Sequence, residues 1–383
     1  MTTKLYYIDA YIKEFTATVL SSDKTDGGYL TVLDRTAFFP NEGGQAADTG
    51  TVGGVRVLDV SESSGVITHM TEAPLPIGAA VECKIDFDVR FQKMQLHTAE
   101  HILCGIIHSL FGYENVGFHL VDGTVTFDIS APMSREDVDR VERLANVAVF
   151  ENRRVNAREY SADELKNIEY RAKIDGANGL RIVEIEGVDK CACCAPHVSY
   201  TGEIGLIKIL DFERHRGGTR LYLLAGGSAY LDVKNKYDSI KALSGALSVP
   251  KEKVSEGVET LIAERDSLVL AAKKCSLNFA RALAEYITPS ERVTLVLLPF
   301  SLDSEAMREL ANEMMAKTEK PIAVVSFAAD THKYVLAQRD SDISSLVRAV
   351  NAALSGRGGG RGSMASGSFS ATREQIVDYF ASL

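Results

Sequence analysis

The sequence predicts an α+β fold: a small N-terminal β-barrel, a mixed α+β unit, a helical hairpin and a C-terminal α/β domain with a glycine-rich loop. Three patterns carry that expectation. Residues 1–88 alternate apolar and polar side chains between glycine-marked turns, residues 228–287 carry a long apolar stripe at helical spacing, and residues 288–383 alternate strand-like and helix-like segments. A chain of 383 residues also exceeds what one small core organises, so several domains are expected.

In the first segment, Phe15-Thr16-Ala17-Thr18-Val19-Leu20, Tyr29-Leu30-Thr31-Val32-Leu33 and Val55-Arg56-Val57-Leu58-Asp59-Val60 read as strands. The turn signals Asp26-Gly27-Gly28, Asn41-Glu42-Gly43-Gly44 and Gly53-Gly54 make an antiparallel barrel of them. One turn is unusual: Thr36-Ala37-Phe38-Phe39-Pro40-Asn41-Glu42-Gly43-Gly44-Gln45 has glycines that let backbone approach a ligand and a glutamine that both donates and accepts. A plain hairpin turn is the alternative.

The second segment, 89–226, opens with a helix marked by Phe91, Met94, Ile102, Leu103, Ile106, Ile107 and Leu110 and stopped by Gly112. A hairpin around Asp122-Gly123 follows, then a helix opened by Ser134 with Asp137 in capping-box register. Leu180–Glu186, Ile204–Leu210 and Leu221–Leu224 complete the unit as strands. Residues 228–287 predict two antiparallel helices turning at Ser248-Val249-Pro250, with Val254, Val258, Leu261, Ile262, Leu268, Leu270 and Leu277 as their apolar stripe. In 288–383, the stretch from Gly356 to Gly367 reads as a loop whose free amides, with Arg357 and Arg361, suit a phosphate.

Composition narrows the class. The 45% apolar and 25% charged fractions are those of a globular protein, and a net charge of -10 argues against indiscriminate coating of nucleic acid. No apolar run is long enough to span a membrane, and the N-terminus lacks a secretory core, so a cytoplasmic home is expected. Three of the six cysteines fall within residues 191–194, which suggests metal ligation; Cys83, Cys104 and Cys275 read as small buried apolar residues.

The chemistry concentrates in two places. His97-Thr98-Ala99-Glu100-His101 stacks two imidazoles on one helical face, one turn apart. Far downstream, Lys190-Cys191-Ala192-Cys193-Cys194-Ala195-Pro196-His197 offers sulfur and imidazole, with Cys193 and His197 in CxxxH spacing. Two such half-sites can close a tetrahedron of N and S ligands around zinc.

Taken in order, Phe39-Pro40-Asn41-Glu42-Gly43-Gly44-Gln45, His97-Thr98-Ala99-Glu100-His101, and Cys193 to His197 running into Val198-Ser199-Tyr200-Thr201-Gly202-Glu203-Ile204-Gly205 resemble the editing region of alanyl-tRNA synthetase. The chain is similar to the long, free-standing alanyl-tRNA editing proteins of the AlaX family, and its glycine-rich tail resembles the C-terminal domain they share with the synthetase and the DHH phosphoesterases. The resemblance implies hydrolysis of the ester joining serine, and as a further candidate glycine, to alanine tRNA. It implies zinc on His97, His101, Cys193 and His197, an amino-acid pocket lined by Thr36 and Gln45, a tRNA partner contacted through Arg357 and Arg361, and self-association through the C-terminal region. Cys194-Ala195-Pro196 stands where the family more often has Gly-Gly-Thr, which leaves Cys191 and Cys194 as competing thiols.

An aminoacyl ester is already activated, so a positioned water and charge stabilisation suffice. Selecting seryl over alanyl ester calls for a polar pocket that loses a hydrogen bond when alanine binds, with Thr36 the first candidate. Two rival readings exist. His97-Thr98-Ala99-Glu100-His101 also satisfies HxxEH, the metallopeptidase pattern, although that chemistry needs a later carboxylate ligand where this chain has thiols. The other is a noncatalytic RNA-binding module with a closed structural zinc.

Overall fold

A computed structural model describes residues 1–121, 124–172, 179–327 and 331–383. The chain is mixed α+β and divides into two units, Met1–Ser239 and Ile240–Leu383. The Asp122-Gly123 turn lies outside the described residues.

In the first unit, β1 (Glu14–Thr25), β2 (Gly28–Leu33), β3 (Gly50–Val52), β4 (Val55–Ser63), β5 (Val66–Thr71) and β6 (Ala80–Ile85) close into a ring in the order β1-β2-β5-β4-β3-β6. The alternation read in the sequence is the cause: β6 is exposed and buried residue by residue, so Val81, Cys83 and Ile85 point inward to meet Val19, Leu33, Val57 and Ile67. Phe38 and Phe39, from the loop after β2, plug the same core.

Helix α1 (Phe87–Phe111) follows the barrel directly and ends at Gly112, whose φ of 71° gives the left-handed cap that a side chain would resist. Its apolar residues Met94, Leu103 and Ile107 pack with Phe127 and Leu223 from the sheet of β7 (Asn115–Val121), β8 (Thr124–Ile129), β12 (Ile207–His215) and β13 (Gly218–Ala225), ordered β12-β13-β8-β7. Helix α2 (Arg135–Phe150) starts at the Ser134/Asp137 capping box. A three-stranded sheet of β9 (Val155–Tyr160), β10 (Leu180–Ile185) and β11 (Asp189–Ala192) delivers the cysteine loop. That loop packs Ala195, Cys193 and Cys194 on the barrel core.

Helix α3 (Gly226–Leu247) leads through a turn at Ser248 into α4 (Val254–Tyr286). The stripe expected to pack inside a helical hairpin is largely exposed: Leu268 and Leu270 are 69% and 68% accessible, and α4 packs instead on α5 (Ser304–Lys317) through Ala280 and Ala284. Cys275, expected to be buried, is exposed on α4.

The second unit is a five-stranded sheet of β14 (Thr294–Leu298), β15 (Ile322–Ser326), β16 (His332–Ala337), β17 (Gly356–Arg361) and β18 (Met364–Phe369), in the order β14-β15-β16-β18-β17, with α6 (Ser344–Ala353) and α7 (Arg373–Ser382). The stretch read as a glycine-rich loop is therefore an edge hairpin. Its glycines serve space: a Cβ on Gly367 would come within 2.6 Å of the Tyr334 ring, which lies against the strand. No helix among the described residues is long and apolar enough to cross a membrane.

Candidate metal centre

Helix α1 presents His97 and His101 from its middle, where the helix is buried on all sides, and the loop after β11 presents Cys193 and His197. One donor atom from each of the four lies within 4.8 Å of the others. Cys193 Sγ is 3.6 Å from His97 Nε2 and 3.4 Å from His197 Nε2. Tetrahedral zinc with ordinary Zn–S and Zn–N bonds places sulfur and nitrogen about 3.5 Å apart. The donor set therefore fits a metal ion in both kind and spacing.

The opposite edges of the rings strengthen that fit. His97 Nδ1 lies 2.9 Å from Gln45 Oε1, His197 Nδ1 lies 3.0 Å from Thr98 Oγ1, and His101 Nδ1 lies 3.2 Å from Asp189 Oδ2. Thr98 donates its own proton to the Met94 carbonyl at 2.7 Å, so toward His197 it accepts. An imidazole that donates from Nδ1 carries its lone pair on Nε2, the atom turned to Cys193. Carboxylate, carbonyl and hydroxyl partners of this kind fix the tautomer and aim of metal-binding histidines.

Electrostatics selects among the thiols. Burial works to raise the Cys193 thiol, yet the imidazoles of His97 and His197 and hydrogen bonds from His101 and His197 hold it well below the ordinary thiol range. Burial pushes Cys191 up, and burial with the neighbouring Cys193 and Glu42 pushes Cys194 up. Burial lowers His197 to about 3, leaving it neutral. For His101, burial is outweighed by Asp189 and Cys193, which raise it well above its ordinary value. A thiolate among imidazoles is thus favoured at Cys193.

Asp189 reaches His101 because α1 and β11 touch at Gly105, where a Cβ would sit 2.6 Å from the Val188 carbonyl oxygen and 2.7 Å from Asp189 Cβ. The loop carrying Gln45 is fastened from α1. Arg90 Nε donates to Asp48 Oδ1 at 2.9 Å, Asp48 Oδ2 accepts from the Phe39 amide at 2.6 Å, and Lys93 Nζ donates to the Ala46 and Ala47 carbonyls. Thr98, Asp189, Arg90, Asp48 and Lys93 were not singled out by sequence. Only Thr98, inside the HxxxH segment, lay where a motif could have drawn attention to it.

A cavity of about 530 Å³ opens over the cluster, with His97, His101, Glu100, Asn115, Arg171 and Cys193 in its wall. Among the described residues that line the cavity, neither Gln45 nor Thr36 appears. Thr36 is fully buried, 2.8 Å from His69 Nε2 and accepting from the Phe38 amide at 3.1 Å. His69 Nδ1 faces the Thr31 carbonyl at 3.2 Å, so its Nε2 takes the Thr36 proton. Glu100 accepts from Cys104 Sγ at 3.0 Å and from Asn115 Nδ2. Arg357 and Arg361 lie on the β17 edge strand, in the other unit.

Residues 180–222 match the family model described as threonyl and alanyl tRNA synthetase second additional domain, and residues 290–381 match the DHHA1 domain. The chain is 32% identical over 302 residues to alanyl-tRNA editing protein Aarsd1 of Bos taurus, covering 74% of this chain and 67% of that protein. The Mus musculus protein of that name is 29% identical over 377 residues, 92% of this chain and 90% of it. Alanine--tRNA ligase of Ignicoccus hospitalis is 29% identical over 403 residues; the match takes in the whole of this chain and 43% of the ligase.

Proposed function

The chain belongs to the family of alanyl-tRNA editing proteins, and we propose from that premise that it hydrolyses the ester joining serine to alanine tRNA, in the cytoplasm, with glycyl ester as a second substrate. The observation that carries the reading is the four-residue cluster His97, His101, Cys193 and His197, the first three of which line a cavity large enough for an aminoacyl group and part of the nucleoside that bears it. These four residues would hold one zinc ion. When bound, the ion supplies positive charge that polarises an ester carbonyl or a water.

The chain's own groups do the remaining work. Gln45 and Thr98 hold His97 and His197 in one tautomer, Asp189 stands 3.2 Å from His101 Nδ1, and the fully buried Arg90–Asp48 pair holds the Gln45 loop. With the Thr36 hydroxyl committed to His69, we assign recognition of the serine hydroxyl to Glu100 and Asn115, the hydrogen-bonded pair in the cavity wall. An alanyl ester would leave that pair short of a partner, which discriminates more strongly than the loss of a methyl-sized contact. Arg357 and Arg361, exposed on their edge strand, are the assigned phosphate contacts, and the exposed stripe of α4 is the assigned surface for self-association.

The test is deacylation of seryl-, glycyl- and alanyl-tRNA by catalytic amounts of protein, with zinc quantified on the same sample. Release of serine but not alanine, with one zinc per chain, is the expected result. Four protein ligands favour a second reading, a closed structural ion in a noncatalytic tRNA-binding module. Stoichiometric binding of seryl-tRNA without turnover would establish that reading and refute the first. A peptidase role lacks its carboxylate ligand, because the donors beside His97 and His101 are a thiol and an imidazole.

A further inference from the structure

Asp189 is held from both sides. Its Oδ2 lies 3.2 Å from His101 Nδ1, while Arg171 grips it through two parallel hydrogen bonds, Nε to Oδ1 at 2.9 Å and Nη2 to Oδ2 at 2.8 Å. The Asp189 side chain is 2% exposed and that of Arg171 16%, so this pair is screened from water more than a surface ion pair is. The backbone of Arg171 is pinned as well: its amide donates to the Lys190 carbonyl at 2.8 Å, and its carbonyl accepts from the Ala192 amide at 2.9 Å. The guanidinium is therefore anchored to the same strand, β11, that leads into Cys193.

We propose that Arg171 is a positioning residue for the metal centre, acting through Asp189 to hold His101 with its Nε2 lone pair turned to Cys193. The inference rests on the metal reading above and adds an outer layer to it. A carboxylate has several lone-pair sites and several low-energy orientations. A bidentate guanidinium takes both oxygens along one edge and fixes the plane, so that Oδ2, which also accepts from Arg171 Nη2, is held facing His101 Nδ1. Without that grip Asp189 can turn, and His101 can rotate or take the other tautomer, with the proton on the ligating nitrogen. A lysine in place of Arg171 would keep the charge but not the plane.

The three Nδ1 partners differ in this respect. Thr98 is fixed by its helix and Gln45 by the loop staple from Arg90 and Lys93, whereas Asp189 sits at the end of a short strand and needs a side chain to orient it. Arg171 also lines the cavity, so loss of activity alone would not separate positioning from contact with substrate.

The experiment is chelator competition for zinc on the full-length protein, comparing wild type with Arg171→Ala, Asp189→Ala and the double variant. Removing an outer partner of a metal-bound histidine weakens affinity about 10- to 100-fold, and that loss is expected for each single variant. If Arg171 works through Asp189, the double variant holds zinc no more weakly than Asp189→Ala alone. Arg171→Lys should fall with Arg171→Ala, and it supplies the reading should the alanine variant fail to fold. Cobalt substitution gives a second readout, with the visible bands of the tetrahedral ion altered in both Arg171 variants. Wild-type affinity in Arg171→Ala or Arg171→Lys, or single losses that multiply in the double variant, would overturn the inference. A wild-type protein that holds no zinc would instead overturn the metal reading itself.

Discussion

Thr98 Oγ1 lies 3.0 Å from His197 Nδ1 while donating its proton to the Met94 carbonyl one helical turn back. The hydroxyl is thereby converted into an acceptor, and His197, 99 residues away in sequence, is held in the tautomer that frees Nε2. The same oxygen receives the Val198 amide at 3.3 Å, so one side chain on α1 orients both the ring and the chain that carries it.

Thr98→Val should therefore keep the shape of the site and lose its chemistry. Zinc affinity is expected to fall about 10-fold or more. Stability should drop by about 1–3 kcal/mol, because the buried His197 N–H loses its partner. Thr98→Ser should retain most of both. Zinc competition and urea unfolding of the two variants check this, and equal behaviour of valine and serine would refute it.

The choice among three neighbouring thiols is open to direct test. Cys193→Ser is expected to lose most bound zinc at neutral pH, since a hydroxyl is a far poorer ligand than the thiolate held there by His97 and His197. Cys191→Ser and Cys194→Ser should retain it. Metal analysis after dialysis against a weak chelator reads the difference directly. Retention by Cys193→Ser with loss in either neighbour would move the ligand to that neighbour.

Arg90 and Asp48, both fully buried, bind the Gln45 loop to α1. Removing one partner leaves a buried charge uncompensated, so Arg90→Met or Asp48→Leu alone should cost about 3–5 kcal/mol. The double change to Met and Leu should recover a large part of that loss. Thermal unfolding of the three variants measures it, and a double variant as unstable as the sum of the singles would contradict the pairing.

His69 gives a pH dependence with a definite sign. Burial lowers it to about 4 from an ordinary 6.5, so the folded state binds its proton less readily than the unfolded chain does. Its contribution is present in full above pH 6.5 and is lost as pH falls toward 4, an effect of about 3 kcal/mol. The His69→Gln variant isolates this contribution. Urea unfolding of wild type and variant at pH 7 and pH 4.5 should show a steeper loss in wild type, and parallel losses would rule His69 out as the source.

Selectivity supplies the last prediction. If Glu100 and Asn115 take the serine hydroxyl, Asn115→Leu should lower seryl-tRNA deacylation about 10-fold or more while changing glycyl-tRNA deacylation much less. Equal losses on both esters would assign the pair a structural role.

The sequence by itself determined the pieces: alternation that can only be a half-buried barrel wall, the Ser134 cap, the Gly112 stop, two imidazoles one turn apart, and a sulfur and imidazole waiting in a later loop. These are local properties, set by periods of two and 3.6 residues and by the chemistry of single side chains. Tertiary structure decided everything that depends on what lies across a contact. It turned the Gly356–Gly367 stretch into an edge hairpin because Tyr334 packs against it, and it left the stripe on α4 exposed because α4 packs on α5. It buried Thr36 against His69 and left it out of the cavity lining. It set the imidazoles of His97 and His197 against Cys193, and it placed Gln45, Thr98 and Asp189 at the Nδ1 edges of the three rings. No spacing along the chain encodes those relations, since each joins residues on separate elements whose register is fixed only when the cores close.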